Sequence, residues 1–166
     1  MYELNILRWL VNTIPNTPKN FRLSAYLESF AIHLRGLIDF FYANLKDAKP
    51  DDVIAGDFFD PPSVWNPGVP SVTLSAARER ANKEVGHITY KRKSGMDPTK
   101  PWPVSDLFNE IVPIARQFAA GASNKKLHQT VVAWSKSDAT AMLSLAVSAF
   151  TSTTNTFVVS TLGIKI

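Results

Sequence analysis

The 166-residue chain contains no cysteine, which excludes disulfides, thiolate catalysis and cysteine-based zinc sites. It has no long hydrophobic run either. The longest, Ala139 to Phe150, is interrupted by serines and is too short to span a bilayer, so no membrane partner is expected. The first residues, MYELNILRWLVNTIP, show no basic stretch followed by an apolar core and a small-residue cleavage site. No signal peptide is therefore expected, and a cytoplasmic location is the expectation. Charge is somewhat sparse at 19%, against a hydrophobic fraction of 45%, as in a globular domain. Also missing are a phosphate-cradling glycine-rich loop, a G-x-S-x-G elbow and an H-E-x-x-H pair. His33, His87 and His128 fall on three different segments without metal-ligand spacing, so no metal and no cofactor is expected.

What the chain does have is helical periodicity, most clearly from Phe21 to Leu45. Leu23, Leu27, Phe30, Leu34, Leu37, Phe41 and Leu45 recur in steps of three and four. That spacing keeps one stripe on a core over about six turns. Ile38 and Phe40 widen the stripe, so this helix is expected to meet more than one neighbour and to be the most buried element. Tyr26, His33 and Phe40 form a second line, and Arg35 is placed to pair with Asp39.

The pattern predicts a mainly α, single-domain helical bundle of four to five helices around that long central helix. The helices are expected near 4–14, 21–46, 73–93 and 105–120, with a weakly patterned fifth at 127–150. Pro15 and Pro18 stop the first, Asn20 caps the second, and Lys49-Pro50 closes it. Asp51-Asp52 is expected to cap one further turn from Val53 to Phe59. Pro61, Pro62, Pro67 and Pro70 then impose a loop, either packed down by Trp65 and Phe58 or functional. Thr73 is the expected cap of the third helix, and Pro113 should kink or break the fourth. Residues 1–150 are read as the bundle and 151–166 as a tail, an edge strand or disordered.

The net charge of +4 is concentrated between Leu74 and Lys100, which holds Arg78, Arg80, Lys83, Lys91, Arg92, Lys93 and Lys100 against Glu79, Glu84 and Asp97. On the third helix, Leu74, Ala77, Ala81, Val85 and Ile88 form the apolar edge. Arg80, Glu84, His87 and Lys91 line up about a quarter-turn away. Arg80 and His87, seven apart, would combine a permanent cation with an imidazole that titrates near neutrality. A phosphodiester-cleaving site needs both. The same stripe also suits the solvated flank of an amphipathic helix, with Arg80 and Glu84 as an intrahelical pair.

Arg80 and His87, separated by Ala81-Asn82-Lys83-Glu84-Val85-Gly86 in a helical chain, give a sequence that resembles the HEPN superfamily, whose motif is Arg, four to six residues, then His. The position after the arginine, commonly polar in that superfamily, is Ala81 here, with Asn82 one place later. The likeness spans roughly Phe21 to Phe118. The long helix is also similar to that of small bacterial helical proteins with a Glu-Ser-Phe…His-x-Arg…Ile-Asp-Phe-Phe run. The HEPN resemblance implies a small helical bundle, often a homodimer. It also implies RNA binding or metal-independent endoribonuclease activity in a bacterial defence or toxin-type system. Arg80 and His87 would be catalytic, Tyr90, Lys91, Arg92 and Lys93 would contact single-stranded RNA, and an antitoxin would be a partner. The alternative is a non-enzymatic module that binds a protein partner. A third reading, a small-molecule sensor, would place Tyr26, His33 and Phe40 around a cavity.

Overall fold

The computed structural model describes residues 2–85 and 101–136. Among them are five α-helices and no strand: α1 (Tyr2–Thr13), α2 (Phe21–Tyr42), α3 (Val72–Glu84), α4 (Val104–Gly121) and α5 (Gln129–Lys136). The chain is thus mainly α. α2 packs against α1, α3 and α4, and α5 lies on α4. A guanidinium–indole contact supports that last junction, with Arg116 5.8 Å from the centre of the Trp134 ring.

The predicted stripe of α2 faces inward. Phe30, Leu34, Leu37, Ile38 and Phe41 are buried, in one cluster with Leu7 and Leu10 of α1, Leu74 and Ala77 of α3, and Leu107, Ile111 and Ala115 of α4. The long helix is not pre-eminent in burial, however: α4 buries as many residues as α2 over a shorter span. The reason lies in α4's own three–four spacing, Val104, Leu107, Ile111, Ala115 and Phe118, which gives it an equally continuous apolar face.

Several helix ends differ from expectation. α2 stops at Tyr42 instead of continuing to 46, with Ala43 in extended conformation. Asn44 accounts for the stop. Its side-chain oxygen accepts from the Lys46 N–H and its carbonyl from Asp47 and Ala48, a turn that competes with further helix. Leu45 is consequently 46% exposed, outside the stripe it was assigned to. Ser71, not Thr73, caps α3, accepting from the Leu74 N–H at 3.0 Å. The turn expected from Val53 is a short 3-10 segment, Ala55–Phe58. Its start is held by Asp57, which accepts from the Ile54 N–H, while Asp52 accepts from Lys49. α4 runs on through Pro113. Pro113 and Asn109 are both exposed, so the carbonyl left without a donor lies on the solvent side of the helix. The predicted helical segments 86–93 and 137–150, and the tail 151–166, lie outside the described residues.

The proline-rich loop is packed down, as Trp65 and Phe58 suggested. The Trp65 indole donates to the Phe41 carbonyl at 2.8 Å and stacks on Phe59. Phe58 meets Phe40 and Phe118 edge-on. From the segment after α4, the Ser123 N–H donates to the Phe58 carbonyl, and the Lys126 ammonium reaches the carbonyls of Asp57 and Phe59 and the Asp60 carboxylate.

Candidate functional site

α3 carries Arg80. Leu74, Ala77 and Ala81 are buried, which turns the Arg80–Glu84 line to the flank, as the spacing predicted. Arg80 is only 20% exposed and Glu84 16%. The guanidinium Nε donates to the Glu84 carboxylate at 2.7 Å, one helical turn on. Its carbon lies 4.3 Å from the centre of the Trp102 ring, and Nη1 is 3.5 Å from the Pro101 carbonyl. A flat cation is therefore gripped along one edge by a carboxylate and across one face by an indole. His87, Tyr90, Lys91, Arg92 and Lys93, the other residues assigned to the site, lie outside the described residues.

Trp102 was not foreseen in this role. It stands between two prolines, Pro101 and Pro103, and so belongs to no periodic pattern. Glu3 was equally unforeseen. It pairs with His33 between α1 and α2, and Tyr2 meets the imidazole edge-on at 5.8 Å. Tyr26 packs edge-on against Trp9, whereas Phe40 belongs to the aromatic cluster with Phe41, Phe58 and Phe118. The Tyr26/His33/Phe40 line is thus divided between a helix seam and the core. His128 accepts from the Thr130 N–H at the start of α5. Among the described residues no group of three His, Asp or Glu side chains is placed to hold a metal ion.

A concave surface, of about 740 Å³, lies between the end of α2, the following loop and the start of α3. Asp39 sits in its wall, bridged both by Arg35 of its own helix and by Arg78 of α3. Arg35, Lys49 and Arg78 are offset there by Asp39, Asp47 and Asp52.

Close by, burial raises the Tyr42 phenol above its ordinary value of 10.0, and the Glu110 carboxylate adds to the rise. Absorbance titration should contain a component from Tyr42 that ionises above the usual range. Glu110→Gln should lower that midpoint while leaving most of the shift, because burial is the larger cause. A raised folded-state value means that Tyr42 stabilises the fold below pH about 10 and that this contribution is lost as pH rises through the folded value. A titration in which every tyrosine ionises at the ordinary value would contradict the burial.

Comparison with known protein families, curated proteins and solved structures finds no match. Among the described residues no helix is long and apolar enough to cross a membrane.

Proposed function

We propose that this chain is a HEPN-like RNA-binding protein or metal-independent endoribonuclease of a bacterial defence or toxin-type system, with Arg80 and His87 as the catalytic pair of the endoribonuclease. The observation that supports this reading is the Arg80 guanidinium, fixed in orientation on the flank of α3, with Tyr90-Lys91-Arg92-Lys93 following in the sequence. In the proposed reaction Arg80 holds the scissile phosphate. His87 takes the proton of the ribose 2′-hydroxyl as the 2′-oxygen attacks phosphorus. The 5′-oxygen leaves and receives a proton in turn. Two copies of the pair across a homodimer would supply both proton transfers at once.

A second reading, a non-enzymatic module for a protein partner, draws on the Arg80–Glu84 pair, which already neutralises the cation within its own chain. Cleavage of a mixed RNA pool in the presence of chelator discriminates between them. His87→Ala is expected to lower turnover by about 10²–10⁴-fold with binding largely kept. Arg80→Ala should weaken binding by roughly tenfold or more, the worth of one charge-assisted contact. Absence of RNA affinity at low salt, or equal cleavage by the double variant, would leave the protein-binding reading.

A further inference from the structure

We propose that Trp102 is a positioning residue for the Arg80 guanidinium, holding it flat so that it meets a phosphate of single-stranded RNA in a fixed plane. This rests on the RNA-binding reading and adds a residue to that site. The Trp102 ring is itself fixed. Prolines on both sides restrict the backbone, the Trp102 carbonyl accepts from the Val104 N–H at 2.8 Å, and the ring packs against the core cluster. It therefore offers Arg80 a platform that belongs to the segment leading into α4 rather than to α3. Glu84 holds the Nε edge and the Pro101 carbonyl lies within 3.5 Å of Nη1, so the plane of the cation is set from three sides. An arginine prepared in this way loses less side-chain freedom when it binds than one extended into water. Lysine lacks the flat, delocalised cation that such a stack requires.

The test is binding of a labelled, mixed-sequence single-stranded RNA by the full chain at low salt, read by fluorescence anisotropy. Trp102→Leu is expected to weaken binding by about two- to tenfold, the cost of ordering one long side chain that the free protein no longer holds, and Trp102→Phe to recover most of that loss. Arg80→Lys, which keeps the charge but not the plane, should weaken binding by a similar factor and gives the result even if Trp102→Leu fails to fold. Phenylalanine binding no better than leucine, or Arg80→Lys binding as tightly as the unaltered chain, would overturn the positioning role. If Arg80→Ala itself leaves affinity unchanged, the RNA reading falls and takes the positioning role with it. If Arg80→Ala weakens binding and Trp102→Leu does not, only the role of Trp102 falls.

Discussion

Phe118→Ala is expected to destabilise the protein by about 3–5 kcal/mol. Phe118, on α4, stands at the centre of an aromatic cluster. Its ring centre lies 5.2 Å from Phe40, 5.7 Å from Phe41, 5.5 Å from Phe58, 6.0 Å from Phe59 and 5.7 Å from Trp65. Most of these contacts are edge-to-face, the geometry in which aromatic pairs add roughly 0.5–1.5 kcal/mol beyond the area they bury. Two come from α2 and three from the proline-rich loop, so one ring joins both to α4. Net stabilities of domains are commonly about 5–15 kcal/mol, and such a loss removes a large share. Urea denaturation followed by circular dichroism measures it. Phe118→Leu, which keeps apolar bulk, should lose less than Phe118→Ala. The loop should also open before the bundle does, seen as faster proteolysis between 54 and 70 at urea concentrations that leave helicity intact. A loss below about 1 kcal/mol, typical of positions outside a packed core, would mean that the loop does not depend on this ring.

The bundle was largely legible because its helices announce themselves by spacing. The three–four steps of α2 from Phe30 to Phe41, and Leu74, Ala77 and Ala81 of the predicted α3 edge, name residues that are buried, whereas Leu23 and Leu27 are only partly covered and Leu45 is exposed. The ends were less legible because they are decided by competition between local hydrogen bonds. Asn44 ends α2 by forming a turn of its own. At α3, Ser71 and Thr73 are both good caps two residues apart. Ser71 is also held by the Glu110 carboxylate of α4, a contact no local window contains.

The candidate site divides in the same way. Arg80 and Glu84 are one turn apart, and their pairing follows from helix geometry alone. Trp102 reaches Arg80 across the described end of α3 and the start of α4, and Glu3 reaches His33 from thirty residues away. Contacts at such separations are products of the fold. Side chains that make them carry no periodic signature, especially where, as with Trp102, prolines on both sides break any pattern.

Phe30→Ala should be comparably costly, about 3–5 kcal/mol, but for a different reason. Phe30 is fully buried in the middle of α2, in the cluster that also holds the aliphatic Leu7 and Leu10 of α1 and Leu107 and Ile111 of α4. The loss therefore comes chiefly from apolar transfer and from the cavity left behind, since α1, α3 and α4 all bear on α2 and cannot close in together. Phe21, at the start of the same helix, is 79% exposed and supplies the internal control. Phe21→Ala makes the same chemical change at an exposed site, and should stay within about 0.5 kcal/mol of the unaltered chain. Denaturant unfolding should move the Phe30→Ala midpoint downward with its slope unchanged, as expected when the native state loses packing and keeps its overall surface. A cavity lined by leucine and isoleucine stays dry and accepts small apolar molecules, so benzene should partly restore the midpoint of Phe30→Ala and leave that of Phe21→Ala where it was. Equal, small losses for the two variants would place Phe30 at the surface and remove α2 from the centre of the bundle.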